Sequence, residues 1–189
     1  MSLNIKYLSS LQTHISVSAK TRQAVIAASN EVIFLSKRVI FALHRRDIKE
    51  ATEKLTIAKE KLASIGKQFK NYPFVDEGAY RAAAEEYVEA SLFFAFCTKK
   101  TVGKVAGVTD EEIYMAGLLD VPGELYRYAL HAVTQKNITE VTRAVDASQE
   151  LYGALIGFEF TQYLRTKFDQ ARNMIHKLEE LSAELALKS

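Results

Sequence analysis

The chain has 189 residues, of which 48% are hydrophobic, and its net charge is only +2. A single cysteine, Cys97, excludes an internal disulfide. No apolar run reaches the roughly 18 residues that a membrane-spanning helix needs, and the N-terminus lacks the features of a secretory signal. We therefore expect one soluble, cytoplasmic domain over residues 1–189 with no membrane contact.

Apolar residues recur at helical spacing in the first half of the chain. No glycine or proline interrupts this pattern over about 5–46, which predicts a first helix of roughly 40 residues. A second helix is predicted over about 48–70, with Asp47 as its cap, and a third over about 76–100.

The second half of the chain continues the helical pattern after a loop at 101–109. Thr109 followed by Glu112 is typical of a capping box and predicts the start of a fourth helix over about 110–133. Pro122 lies inside this helix, where we expect a kink and not a stop because apolar periodicity continues on both sides.

Two further helices are predicted over about 138–156, capped by Asn137, and over about 160–187. No segment alternates with period two for long enough to indicate a strand. The sequence thus predicts an all-α, single-domain antiparallel bundle of six to seven helices with a long first helix.

Charge is distributed unevenly along the chain. Residues 36–70 hold ten Lys or Arg against four Asp or Glu, residues 76–89 hold five acids against one Arg, and residues 110–124 hold five acids and no Lys or Arg. Such segments favour a surface that attracts a polyanion beside a pocket that holds cations, and a solvated helix surface is the alternative.

Two pairs of carboxylates have the spacing of a shared helix face. Glu86 and Glu89 are three residues apart on the third helix, and Asp120 and Glu124 are four apart on the fourth. If these faces meet, the four groups cannot all stay ionised unless a cation lies among them. All-oxygen ligation selects a hard ion such as Mg²⁺, Mn²⁺ or Ca²⁺.

An exposed acidic stripe paired with Lys or Arg is the alternative to such a metal site. A di-iron bundle needs Glu-x-x-His pairs, and none of the four histidines follows a Glu by three residues. The sequence also has no Gly-rich phosphate loop, zinc-type Cys/His spacing or nucleophile elbow. The four carboxylates are therefore the candidate catalytic groups.

Three blocks of the sequence resemble, in this order, the translin family. They are "SKRVIFALHR" at 36–45, "EYVEA" at 86–90 and "YMAGLLDVPGELYRYALHAV" at 114–133. The resemblance covers nearly the whole chain and is nearer to the branch of translin-associated factor X, with the compact length of an archaeal member. Pro122 and His131 depart from the family pattern.

The resemblance implies a seven-helix bundle that assembles into a hollow, octamer-like homo-oligomeric shell and a metal-dependent endoribonuclease activity inside it. Carried over residue by residue, the catalytic carboxylates are Glu86, Glu89, Asp120 and Glu124. In this interpretation Glu89, Asp120 and Glu124 hold Mg²⁺ or Mn²⁺, and Glu86 either supports the bound ion without contacting it or orients the attacking water.

Basic residues in the matching blocks are the expected contacts to RNA. Arg38, Arg45 and Arg127 are favoured for the phosphate backbone, with Lys37 and His131 as further candidates. The predicted substrate is short single-stranded or frayed RNA. The alternatives are a non-catalytic protein that binds RNA or single-stranded DNA, and an interaction scaffold that needs a second family member.

Overall fold

The computed structural model describes residues 3–188, apart from the side chains of Asp76 and Lys188. This part of the chain contains six α-helices, one 3₁₀ turn and no strand. The helices are α1 (Ile5–His44), α2 (Ile48–Gln68), α3 (Gly78–Cys97), α4 (Glu111–Thr134), α5 (Ile138–Leu155) and α6 (Gln162–Lys188), and the 3₁₀ turn is Phe74–Asp76. The predicted all-α bundle and its 40-residue first helix are confirmed.

Two of the predicted helix caps are present. The Asp47 carboxylate accepts a hydrogen bond from the backbone N–H of Glu50 at 2.9 Å, and the Asn137 side chain accepts one from Glu140 at 3.3 Å. Each side chain thereby satisfies one of the free N–H groups at a helix start.

The predicted capping box at Thr109 and Glu112 is wrong. Asp110 caps α4, because its Oδ1 accepts the Ile113 N–H at 3.0 Å and the helix begins at Glu111. A carboxylate is favoured at this position because it also faces the positive end of the helix dipole.

Three helices, α1, α3 and α4, end at a residue with positive φ that is not glycine, so the usual sequence signal of a helix end is absent. At the end of α1, Arg46 adopts a φ of 62°, and the Asp47 and Arg46 N–H groups donate back to Ala42 and Leu43 at 2.9 Å each. This is a Schellman-type end in which Arg46 takes the left-handed position that glycine normally fills. The same arrangement ends α3 and α4, with Lys99 and Lys136 at φ 55°.

The helices pack so that α1 lies against α2 and α3, α3 lies against α4, and α4 contacts both α5 and α6. Buried residues of α1 begin only at Val25, so its first five turns project from the bundle. Phe93 of α3 and Leu119 and Leu125 of α4 are among the largest fully buried side chains. The core therefore extends from the second half of α1 through α3 and α4, with buried residues of α2, α5 and α6 packed around them.

Gly117 sets the distance between α3 and α4. A Cβ at this position would lie 2.6 Å from both the Glu85 carbonyl oxygen and the Val88 Cβ. The two helix backbones are therefore in direct contact one turn before Asp120. The acidic faces of α3 and α4 consequently face each other across this contact.

Helix α4 continues through Pro122, as predicted, and the proline is buried. A bend at that point stays a prediction. No helix within residues 3–188 is long and apolar enough to cross a membrane.

Candidate functional site

The acidic residues of α3 and α4 meet α1 around one pocket. Its volume is about 540 Å³, and its lining includes Glu86, Glu89 and Glu124 together with Lys37, Arg38 and Arg127. Asp120 is not part of this lining. The structure thus brings three of the four candidate carboxylates and three candidate RNA-binding cations to the same opening.

Glu89 is the carboxylate whose charge is least compensated. Among the described residues it makes no hydrogen bond or ion pair. Burial, followed by the charges of Asp120, Glu124 and Glu86, raises the pKa of Glu89 to about 8. Without a further cation, this side chain is mostly protonated at pH 7.

Asp120 is paired with a lysine from the last helix. The Lys167 ammonium lies 2.5 Å from Asp120 Oδ2 and 3.4 Å from Glu85 Oε2, and Tyr163 donates a 2.7 Å hydrogen bond to the same Glu85 oxygen. Burial opposes the charged form of Lys167, but the hydrogen bond and charge of Asp120 outweigh it, so the pKa of the ammonium lies above its ordinary value. Lys167 therefore carries a fixed positive charge beside the acidic cluster.

The other two candidate carboxylates have their own partners. Glu124 contacts His44 Nε2 and has Arg127 at 3.9 Å, while Glu86 pairs with Lys37 at 3.3 Å. The His44 side chain is only 3% exposed, and its Nδ1 has no hydrogen-bond partner within the described chain. Each carboxylate is thus turned toward a different cation or ring.

As a result, no three Asp, Glu, His or Cys side chains within residues 3–188 lie close enough together to hold a metal ion. The chemistry of the donor set nevertheless fits a hard divalent cation. Glu89 is unpaired, and three further carboxylates are near enough to raise its pKa, which is the repulsion that a bound cation removes. The ligand set Glu89, Asp120 and Glu124 stays a prediction.

The candidate RNA contacts do not all lie together. Lys37, Arg38 and Arg127 line the pocket, whereas Arg45 lies outside it. Arg38 and Arg45 both bind Glu50, at 2.6 and 2.5 Å, and the Arg38 hydrogen bond is the main reason that the pKa of this carboxyl is lowered.

His131 is also outside the pocket lining and is exposed. Its ring centroid lies 5.6 Å from that of His44. Both nucleic-acid assignments, Arg45 and His131, stay predictions.

Sequence reasoning missed several residues of the site. His44, Glu85, Tyr163 and Lys167 hold the acidic residues, and Phe34 and Phe41 complete the pocket lining. One signal was available for His44, which follows the buried Ile40 by four residues and so shares its face. Lys167 is 47 residues from Asp120 in the chain, and no local pattern links the two.

We expect Lys167→Met to lower the stability of the protein in chelator by roughly 1–3 kcal/mol, because Asp120 and Glu85 then lose their shared cation. Thermal unfolding of Lys167→Met, Asp120→Asn and the double variant measures the coupling. The double variant should regain most of the loss. Strict additivity of the two single effects would show that the ion pair is not formed.

The fold and the pocket define an all-helical protein in which carboxylates face a basic opening between three helices. The chain belongs to the translin family, whose model, described as "Translin family", matches residues 20–189. It is also 32% identical over 162 residues to the uncharacterized protein MJ0175 of Methanocaldococcus jannaschii, covering 82% of this chain and 72% of that protein.

Solved structures of C3PO proteins share the fold. The apo form of NeC3PO matches with a TM-score of 0.84 at 25% identity, covering 97% of each chain. AfC3PO matches with a TM-score of 0.85 at 23% identity, covering 97% of this chain and all of that one. The complex of AfC3PO with duplex RNA gives a TM-score of 0.82 at 22% identity, covering 95% and 97%.

Proposed function

We propose that this chain is a metal-dependent endoribonuclease that cleaves short single-stranded or frayed RNA. The observation that carries the proposal is the uncompensated Glu89 in a pocket that also presents Lys37, Arg38 and Arg127. Cations at the opening attract a phosphate backbone without reading its sequence. Carboxylates inside the same opening are the groups that such a reaction needs next to the scissile phosphate.

In the proposed mechanism, Glu89, Asp120 and Glu124 would hold Mg²⁺ or Mn²⁺, which would supply positive charge to stabilise the developing negative charge of the phosphate. Glu86 accepts a proton from the attacking water or orients it. Arg38 and Arg127 neutralise the neighbouring phosphates.

Family membership supports the proposal on RNA, because AfC3PO has been solved with duplex RNA. The complete set of four carboxylates supports placing the chain in the branch of translin-associated factor X. The similarity to a protein of Methanocaldococcus jannaschii supports an archaeal origin.

A non-catalytic protein that binds RNA or single-stranded DNA is the second candidate. One observation favours it: Lys167 already neutralises Asp120, and His44 engages Glu124. In that case the acidic cluster is a structural ion-pair network and the basic opening alone acts on nucleic acid.

Single-turnover cleavage separates the two candidates. Purified protein in excess is incubated with a short end-labelled RNA and Mg²⁺ or Mn²⁺, with and without a chelator. The nuclease predicts internal cleavage that the chelator abolishes. Binding without cleavage at saturating Mn²⁺ would leave the non-catalytic candidate.

We further propose a homo-oligomer well above dimer size, of octamer-like form. The projecting first turns of α1 support this, since Ile5, Tyr7, Ile15 and Val17 are each about 60–70% exposed and isolated apolar surface of this extent favours association. Light scattering at micromolar concentration is expected to give a mass several times the 21.2 kDa of one chain. A monodisperse monomer would contradict an enclosed site.

Arg38→Ala and Arg127→Ala are expected to weaken RNA binding similarly for different sequences, while single-turnover cleavage at saturating protein is largely preserved. Each lost phosphate contact should reduce the slope of log affinity against log salt by roughly 0.7 for a single strand. Salt titrations of binding measure this slope.

Arg172→Ala is the matched control, because this half-buried arginine pairs with Asp169 on α6 and lies outside the pocket. Arg38 also binds Glu50, so melting temperatures are needed for each variant. An unchanged salt slope with a loss of several degrees in Tm would show that the arginines serve the bundle and not the RNA.

A further inference from the structure

Two phenylalanines of α1 lie exposed at the pocket. Phe34 is 61% exposed and Phe41 is 52% exposed, although both belong to the half of α1 whose other face is buried. They are seven residues apart, which places them on the same helix face with about 10 Å between them along the axis. Both line the pocket that contains Glu86, Glu89 and Glu124.

Arginines lie over both rings. The Arg38 guanidinium is 5.9 Å from the centroid of Phe34, and that of Arg45 is 4.6 Å from the centroid of Phe41. Each ring therefore lies beside a guanidinium, the kind of group that pairs with phosphate. This is the combination that single-stranded nucleic acid requires, because bases stack on rings while cations follow the backbone.

The cationic side chains of the pocket are more exposed than its carboxylates. The side chains of Lys37, Arg38 and Arg127 are 63%, 47% and 48% exposed, whereas those of Glu86 and Glu124 are 27% and 19% exposed. Rings and cations thus form the opening, and the carboxylates lie deeper. A strand held at the opening brings its backbone toward the carboxylates.

We propose that Phe34 and Phe41 form a base-stacking platform that binds unpaired bases of single-stranded RNA. The proposal deepens the proposed function, on which it rests. Stacking tolerates any base, because every base has a flat π-face. A continuous duplex presents its bases stacked on each other, so the platform selects unpaired or frayed segments.

The distance between the rings of Phe34 and Phe41 determines which bases of a strand can stack on them. Neighbouring stacked nucleotides rise by about 3.4 Å, so rings about 10 Å apart engage two bases that are not adjacent in a regular stack. A polyanion fits this opening better than a second copy of the chain, because the exposed side chains beside the rings, Lys37, Arg38 and Arg127, are all cationic.

The test compares binding of two strands of equal length in chelator, oligoadenylate RNA and the same backbone without bases. The double variant Phe34→Ala/Phe41→Ala is expected to bind oligoadenylate about ten- to a hundredfold more weakly than the unmodified protein. Its affinity for the abasic strand should change by less than about twofold. Phe158→Ala is the matched control, since Phe158 is 55% exposed and lies outside the pocket.

Replacement by leucine separates stacking from apolar contact. Phe34→Leu/Phe41→Leu keeps most of the apolar surface but has no flat face, so it should lose base-dependent affinity nearly as far as the alanine variant. Full affinity in the leucine variant, or an equal loss on both strands, would overturn the platform. So would a fall in oligomer mass with unchanged affinity for oligoadenylate, since the rings would then serve a protein interface.

The experiments test the base-stacking platform and the nuclease activity independently. Base-dependent binding in chelator without metal-dependent cleavage would retain the platform and reject the nuclease. Metal-dependent cleavage with no difference between the two strands would reject the platform alone. Absence of any binding to single-stranded RNA would reject the platform as well.

Discussion

Glu89→Gln is expected to reduce single-turnover cleavage of RNA at saturating Mg²⁺ or Mn²⁺ by about a hundredfold or more. The reason is that the amide keeps the shape of the side chain but cannot supply the negative charge that holds a divalent ion. Binding of RNA in chelator at pH 7 should be unchanged, because the Glu89 carboxyl is already mostly protonated when no cation is present. Asp120→Asn should reduce cleavage to a similar extent.

Glu89→Gln is also expected to change the pH dependence of stability, and this effect is measured without RNA. The folded-state pKa of Glu89 is about 8, above the ordinary value of a glutamate, so the folded protein binds more protons than the unfolded chain between those two pKa values. Stability of the unmodified protein in chelator therefore falls as the pH rises through this window. The Tm advantage of Glu89→Gln should grow from about pH 5 to pH 8 and then level off.

Glu60→Gln, an exposed position on α2 outside the pocket, is the matched control and should change neither cleavage nor the pH profile. Cleavage by Glu89→Gln at a rate near that of the unmodified protein with saturating metal would show that Glu89 is not a ligand. A Tm difference that is independent of pH would show that the acidic cluster is not formed as described.

Gly117→Ala is expected to destabilise the protein by roughly 1–3 kcal/mol, since overpacking of this size typically has that effect. The added Cβ would lie 2.6 Å from the carbonyl oxygen of Glu85, and a backbone atom cannot turn away as a flexible side chain does. For a domain of this size the loss corresponds to a fall in Tm of about 2–12 °C. Thermal unfolding in chelator measures it.

Gly117→Ala should also reduce RNA cleavage, because the added Cβ forces α3 and α4 apart and the carboxylates of the two helices move with them. Gly153→Ala is the control: nothing lies within 4 Å of its added Cβ, and alanine in place of glycine in α5 should stabilise by up to about 1 kcal/mol. A Gly117→Ala protein as stable as the Gly153→Ala protein would mean that the two helix backbones are not in contact.

Much of the fold was predictable because each helix carries its own periodic apolar face. The first helix was predicted over about 5–46 and observed at Ile5–His44, and the Asp47 and Asn137 caps were identified correctly. Helix ends were less predictable, since Arg46, Lys99 and Lys136 take positions that normally require glycine. A strained backbone conformation of this kind leaves no mark in the sequence.

The sequence indicated the carboxylates and the cations Lys37, Arg38 and Arg127 that line the pocket, but not the partner of each carboxylate. Helical spacing places Glu86 beside Glu89 and Asp120 beside Glu124, but it says nothing of which cation each carboxylate meets. Lys167 and His44 reach Asp120 and Glu124 from helices 47 and 80 residues away in the chain, so tertiary packing alone decides these pairs. The exposure of Phe34 and Phe41 likewise follows from which faces of α1 are covered by α2 and α3.

The proposed nuclease requires that the carboxylates of α3 and α4 together hold a divalent cation. Anomalous scattering from crystals of the protein grown with Mn²⁺ tests it most directly. We expect a strong peak bounded by Glu89, Asp120 and Glu124, with Lys167 withdrawn from Asp120 toward Glu85. At saturating Mn²⁺, a cluster without a peak, in which Lys167 still binds Asp120 and His44 still binds Glu124, would contradict the account.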